Sequence, residues 1–328
     1  MSGTFRALVV AESDSGGFTR TIAAREMDEL PAGEVLVRVG WSSLNYKDAL
    51  SASGNRGVTR RYPHTPGIDA AGVVEHSDVP DFRAGDEVLV TSYDLGMNTS
   101  GGFAEYIRVP ADWVVPLPPG LSQREAMMLG TAGLTAGLAV AAVAGRAARG
   151  GEVLVTGASG GVGIFAVSIL GQLGIPVAAV SGKPQAAELL RSLGAGTILS
   201  RSEALEGREK PLLKGRWAGV VDTVGGDILA TAVKSLAPAG VAACCGNVLS
   251  ADLPLTVFPF ILRGASLVGI DSQNCPMKER TETWRRLGAE WKPARLEELC
   301  REVPLEKVEE EIVTILSGGQ QGRVLVRI

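Results

Sequence analysis

The chain has 328 residues, 45% apolar and 21% charged, enough for about two domains with large cores and too apolar for wholesale disorder. A formal net charge of −4, with no long basic block, excludes the electrostatic footprint of a dedicated nucleic-acid binder. Glycine is the outlier: 42 residues, about 13% against a usual ~7%, clustered in short motifs that point to backbone turns held close to a ligand.

In chain order, residues 5–10, 34–39, 68–74, 87–93 and 103–109 read as short strands separated by Gly, Pro and Asp turns, a β-rich first third. The start of the chain lacks the basic segment, apolar core and cleavage site of a secretory signal. Cys244, Cys245, Cys275 and Cys300 include no C-x-x-C pair and suggest no disulfide framework. Together these features predict a cytoplasmic protein. From residue 122 the texture changes. Residues 126–145 carry no charge and reach the length of a membrane span, but they are mostly Ala and Gly, which predicts an interior helix and no membrane association. Apolar strands at 153–156, 177–180, 218–221, 241–245 and 267–270 then alternate with helices such as 161–173 and 184–193. That alternation predicts an α/β domain over 123–293, a doubly wound parallel sheet covered on both faces. Helices at 295–301 and 308–316 and a period-2 strand at 324–328 are too little for a third domain. They are expected to complete the first, as residues 1–122 plus 294–328.

The strongest local signal is a buried strand, 153–156, running into Gly157-Ala158-Ser159-Gly160-Gly161-Val162-Gly163 and then a helix. Read as Ala158-x-Gly160-x-x-Gly163, it is the dinucleotide fingerprint with its first Gly replaced, and it lets backbone N–H groups at a helix start meet a pyrophosphate. About twenty residues on, an NAD-selective site places an acid for the ribose 2′-hydroxyl. This chain has Ser181-Gly182-Lys183 there instead. A hydroxyl and a cation suit the 2′-phosphate of NADP; the alternative is a capped helix start with an exposed lysine.

Further segments are Pro66-Gly67-Ile68-Asp69-Ala70-Ala71-Gly72-Val73, Ala84-Gly85-Asp86-Glu87-Val88, Gly101-Gly102-Phe103-Ala104-Glu105-Tyr106, Gly130-Thr131-Ala132-Gly133-Leu134-Thr135-Ala136 and Gln321-Gly322-Arg323-Val324. On these the sequence resembles the medium-chain dehydrogenase/reductases over essentially its full length. The resemblance implies a Rossmann domain joined to a GroES-like β-barrel domain built from both chain ends. Zinc members place a Cys where this chain has Asn45, and a His in the segment that here reads Gly67-Ile68-Asp69. With every Cys beyond residue 243, and only His64 and His76, both expected at the surface, neither zinc site of the family can be assembled from its usual ligands. The segment Trp41–Leu50 (Trp41-Ser42-Ser43-Leu44-Asn45-Tyr46-Lys47-Asp48-Ala49-Leu50), the glycine turn, Ser181-Gly182-Lys183 and Pro259-Phe260-Ile261-Leu262-Arg263 look like the NADPH-dependent acryloyl-CoA reductases, which also carry quinone oxidoreductase names. Motif by motif, that likeness implies NADPH contacts at Tyr46, Ser159, Gly160, Gly161, Val162, Ser181, Gly182, Lys183 and Arg201, with Asn247, Ile261 and Ser272 as further contacts. Arg201 is either a second cation for the 2′-phosphate or a solvated loop residue. The family also implies a homodimer, formed near residues 262–270, where an apolar edge strand could pair with its symmetry mate.

Without a Lewis acid, reduction of a simple carbonyl loses its main means of stabilising an alkoxide. A conjugated acceptor delocalises the charge onto an oxygen that hydrogen-bond donors can stabilise. Tyr46 is the candidate donor of a hydrogen bond or a proton; the alternative is a ring that only packs against the nicotinamide while water delivers the proton. Asn45 and Asp48 are expected to orient this turn through its backbone. Thr131 is either a neighbour of the nicotinamide or a side chain bonded back within its own helix. Arg56, Arg60 and Arg61 form a small cationic loop, either for the phosphates of coenzyme A or simply solvated. The reading is NADPH-dependent reduction of acryloyl-CoA to propanoyl-CoA without metal, with a small-molecule partner, a short enoyl-CoA or quinone. The alternatives are an NADPH:quinone reductase and a silent NADPH-binding sensor.

Overall fold

Residues 3–147 and 150–328 are described by the computed structural model. They form two compact units, both discontinuous in sequence. The first comprises residues through Thr131 together with 273–289 and 295–328, and the second comprises 132–272 and 290–294. The boundaries differ from the 122/123 and 293/294 divisions read from the sequence, for two reasons. Gly130, at φ 52° and ψ −157°, breaks the helix Gln123–Ala147, and the residue after it, Thr131, is tied to Asp69 in the first unit. The helix Met277–Leu287 buries Trp284 and Arg280, and Arg280 donates to the Thr91 carbonyl at 2.8 Å, so this segment belongs to the first unit as well.

In the first unit a seven-stranded sheet runs in the order Cys300–Pro304, Arg323–Arg327, Val35–Leu44, Asp69–Ser77, Glu87–Thr91 and Val115–Pro116, with Tyr106–Val109 also pairing Val35–Leu44. Alternation along these strands sends Val35, Val37, Val39, Val88, Val90, Ile107 and Val109 into one core. A hairpin of Thr4–Glu12 and Phe18–Glu26 is held to it by Leu8 N–H on the Phe103 carbonyl and a reciprocal Val10–His64 pair. Phe18–Glu26 escaped the sequence reading because its positions are half-buried to exposed, which leaves no apolar alternation. The helix expected at 295–301 is instead a short 3₁₀ turn, Leu296–Leu299, followed by Cys300–Pro304, whose parallel pairing with the C-terminal strand overrides the local preference. His64, expected at the surface, is 6% exposed, because its backbone bridge to Val10 draws it under the hairpin; burial pulls its pKa down. His76 is exposed beside Asp78.

The second unit is a six-stranded parallel sheet ordered Ala195–Leu199, Val177–Val180, Glu152–Val155, Trp217–Asp222, Leu236–Cys244 and Ser266–Gly269. In chain order these strands lie 3-2-1-4-5-6, the doubly wound arrangement that opens a ligand crevice where the order reverses, between the first and fourth strands. Burial on both faces explains their near-continuous apolar runs: every residue of Val177–Val180 and Trp217–Asp222 is buried. Gln123–Ala147 is long and apolar enough to cross a membrane, but 78% of its apolar window is buried inside the protein, which makes it a core helix.

Candidate functional site

At the reversal point the first strand leads into the glycine turn and the helix Gly161–Gln172. Two glycines are required by geometry. Gly157 has φ +58°, and a Cβ there would lie 2.2 Å from Thr223 Oγ1; a Cβ on Gly163 would lie 2.4 Å from the Gly157 carbonyl oxygen. Ala158, in place of the first fingerprint Gly, donates its N–H to Val180 at 3.0 Å and is fully buried, so its methyl is accommodated. Gly160 caps the helix in an extended conformation, leaving the N–H groups of the first turn outside the helical ladder, where an anion can accept them.

The second strand ends beside this turn. Ser181 Oγ lies 3.0 Å from Ser159 Oγ and accepts the Lys183 N–H at 3.1 Å. Gly182 is pressed against a guanidinium, for a Cβ there would come within 2.5 Å of Arg201 Nε. Glu203, the acid nearest in sequence to Arg201, spends its carboxylate on the Ser200 N–H and hydroxyl, both at 2.7 Å. Burial first, and the Arg201 charge second, pull the Lys183 pKa down. Lys183 and the Arg201 guanidinium against Gly182 bring two positive charges to the end of this strand, and a monoester phosphate is an anion that such a pair suits. Asn247 and Ile261 are exposed, on the loop after Leu236–Cys244 and on the helix Phe258–Arg263 respectively. Ser272 accepts a hydrogen bond from Thr135 at 2.8 Å.

In the first unit the site is a network of side chains. Tyr46, 43% exposed, opens the helix Tyr46–Ala52. Asp48 accepts the Asn45 N–H at 2.8 Å and the Ile68 N–H at 2.7 Å, which pins that helix start to the strand entering at Asp69. Burial, and then the Asp69 charge, push the Asp48 carboxyl up to about 7. Asp69 is fully buried and accepts from Ser43 Oγ at 2.6 Å, Asn45 Nδ2 at 2.7 Å, Thr131 Oγ1 at 2.6 Å and the Thr131 N–H at 3.0 Å. Arg323, 3% exposed, donates to Ser43 Oγ at 2.7 Å and to Asn45 Oδ1 at 3.0 Å, with its Nη2 3.7 Å from the Asp69 carboxylate. Gly130 is obligatory here, since a Cβ would sit 2.4 Å from Asp69 Oδ2 and 2.5 Å from Ser43 Oγ. The Thr131 N–H and hydroxyl both donate to Asp69. The break at Gly130 turns its N–H and hydroxyl onto Asp69, and Ser92 Oγ lies 2.7 Å from the same hydroxyl.

Asp69 and Arg323 lie within the quoted motifs, yet sequence reasoning assigned neither a place in the site. The available signal was an acid opening the apolar run 70–74 and an arginine opening a buried strand. Of the cationic loop, Arg56 is engaged: it donates to the Arg60 carbonyl, pairs with Glu12 and lies 5.1 Å from the Tyr62 ring centre. The Arg60 and Arg61 side chains are exposed.

These two arrangements define a dinucleotide-dependent oxidoreductase architecture, and the comparisons with known proteins agree. Residues 161–290 match the zinc-binding dehydrogenase family and residues 31–119 the alcohol dehydrogenase GroES-like domain. The chain belongs to the medium-chain dehydrogenase/reductase family. It is 43% identical to the acrylyl-CoA reductase AcuI of Ruegeria pomeroyi over 99% of each chain. It is 44% identical to YhfP of Bacillus subtilis, which carries a quinone oxidoreductase name, over 100% of each chain; a YhfP structure with NAD bound superposes with a TM-score of 0.95. The YhdH oxidoreductase of Salmonella enterica, solved with NADP, is 46% identical, covers 98% of this chain and 99% of its own, and has a TM-score of 0.95. The zinc in the family description does not suit the residues present. Asn45 and Asp69 are taken up by Ser43, Thr131 and a buried guanidinium, and no group of three His, Cys, Asp or Glu side chains among the described residues could hold a metal.

Proposed function

We propose that this protein is an NADPH-dependent reductase of a short enoyl-CoA, converting acryloyl-CoA to propanoyl-CoA without a metal. The observation that carries the reading is the Arg323–Asp69 centre: a buried guanidinium and four donated hydrogen bonds satisfy a carboxylate where zinc relatives build a metal site. Chemistry without a Lewis acid favours an acceptor whose developing charge is delocalised. Full-length similarity to an acrylyl-CoA reductase supports the enoyl thioester as that acceptor. When bound, NADPH supplies a hydride equivalent for the β-carbon. Ser159 and the N–H groups of Gly161 and Val162 would hold its pyrophosphate, while Gly160, whose own N–H donates to the Gly157 carbonyl at 2.9 Å, lets the backbone approach it closely. Ser181, Gly182, Lys183 and Arg201 hold its 2′-phosphate end, with Asn247, Ile261 and Ser272 as further contacts. Tyr46 gives its phenolic proton to the α-carbon and is reprotonated from water, and Asn45 orients the helix start that presents it. Arg60 and Arg61 meet the phosphates of coenzyme A, with Arg56 bracing their loop.

The similarity to YhfP favours a quinone as the second acceptor to try. Oxidation of NADPH is to be followed with acryloyl-CoA, crotonoyl-CoA and a small quinone, on wild type and Tyr46→Phe. The expected result is a higher kcat/KM for acryloyl-CoA and a fall in kcat of about 100-fold in the variant. Turnover of the quinone alone would make the protein a quinone reductase; tight NADPH binding without turnover would make it a sensor.

The same reading includes a cytoplasmic homodimer. Four free cysteines support a reducing compartment. Ser266–Gly269 is the outer strand of the parallel sheet, and Val257, Phe258, Ile261, Leu262 and Val268 expose apolar surface around it, which supports edge-to-edge pairing of two copies.

A further inference from the structure

Beneath the glycine turn lies a buried carboxylate outside the fingerprint. Asp222 ends the fourth parallel strand and is fully buried. Its Oδ1 accepts from Thr156 Oγ1 at 2.6 Å, its Oδ2 accepts the Gly225 N–H at 2.8 Å, and its carbonyl accepts the Cys245 N–H at 2.9 Å. Thr223 completes the tie: its N–H donates to Thr156 Oγ1 at 3.1 Å and its hydroxyl to the Thr156 carbonyl at 3.0 Å. One residue and its neighbour therefore join the chain segments leaving the first, fourth and fifth strands, at the point where the strand order reverses. The Thr223 hydroxyl occupies the space a Cβ on Gly157 would need, so the tie and the left-handed start of the glycine turn imply one another.

We propose that Asp222 and Thr156 are positioning residues for the cofactor, a brace that sets the separation of these strand ends and with it the placement of the Gly157–Gly163 turn. The proposal rests on the NADPH reading above. Thr156 donates to a carboxylate that water cannot reach, so loss of its hydroxyl leaves that oxygen short of a donor and the strand ends free to part. The turn then meets a pyrophosphate in a relaxed geometry, and the loss falls on binding.

The test is fluorescence titration of NADPH into Thr156→Val and Thr156→Ser, with melting curves recorded on the same samples without cofactor. Thr156→Val is expected to raise the NADPH Kd about tenfold, with the loss in turnover appearing in the KM for NADPH rather than in kcat. Thr156→Ser retains the hydroxyl and is expected to bind within about twofold of wild type. Asp222→Asn keeps an acceptor for Thr156 but turns an amide toward the Gly225 N–H, and is expected to raise the Kd as well. Wild-type affinity in Thr156→Val, or equal weakening in Thr156→Ser and Thr156→Val, would overturn the brace. Failure of wild type to bind NADPH would overturn the cofactor reading itself, and the brace with it.

Discussion

The glycine turn and the Asp69 centre are built in opposite ways. The turn works through backbone: contiguous residues place helix N–H groups for an anion, and the side chains involved are small because the chain passes so close to itself. The Asp69 centre works through side chains from separate stretches, Ser43 to Asp48, Asp69, Thr131 and Arg323, each useful only because the others are present. A backbone site tolerates changes in identity that preserve conformation, as Ala158 illustrates. A convergent network does not, because removing one partner leaves another buried and unsatisfied.

That contrast can be broken most severely at Arg323. Arg323→Met would leave the Asp69 carboxylate buried without its cation, and a cost of about 3–5 kcal/mol in unfolding free energy is expected by chemical denaturation. A loss below about 1 kcal/mol would mean that the hydrogen-bond donors alone satisfy Asp69.

The next effect belongs to the other region. Lys183→Ala is expected to lower NADPH affinity by about 10- to 100-fold while leaving NADH affinity nearly unchanged, as measured by fluorescence titration of both cofactors. Equal losses would show that Lys183 supports the turn rather than reading a phosphate.

Asp48 sharpens the comparison through pH. Its native pKa, raised from 3.8 to about 7 by burial and by Asp69, makes the folded state hold its proton more tightly than the unfolded chain does. Its contribution to stability is therefore complete below about 4 and lost as pH rises toward about 7. Melting temperatures taken across that window should decline in wild type, with a flatter profile in Asp48→Asn; an unchanged slope would place the titration elsewhere.

The smallest expected effect is at the exposed loop. Added salt should raise the KM for acryloyl-CoA several-fold more than that for an uncharged quinone, because exposed Arg60 and Arg61 act through screened charge. Equal sensitivity would remove these arginines from the site.

The glycine turn and the cation in Lys183 were legible because their information is local: a strand, a turn and a helix start follow one another, and the missing acid is a fixed interval away. Asn45 was legible as a position, through the metal ligand that family resemblance places there. Asp69 and Arg323 were not, since nothing along the chain states that residues 254 apart share one pair of charges. Nor was the partnership of Thr131, which depends on the helix break at Gly130. Arg56 reads in sequence as either a phosphate ligand or a solvated loop residue, and the fold places Glu12 and the Tyr62 ring beside it.

By itself the sequence determined the parallel sheet, its glycine turn, the buried core helix and the return of the C-terminus to the first unit. Each of these is written in periodicity or in backbone requirements that a few adjacent residues impose. Only the tertiary structure decided where the units divide, that 300–304 is a strand, that His64 is buried, and which donors satisfy Asp69 and Asp222. Those outcomes depend on pairings between distant segments, where a ladder or a buried charge outweighs local preference by more than any propensity could supply.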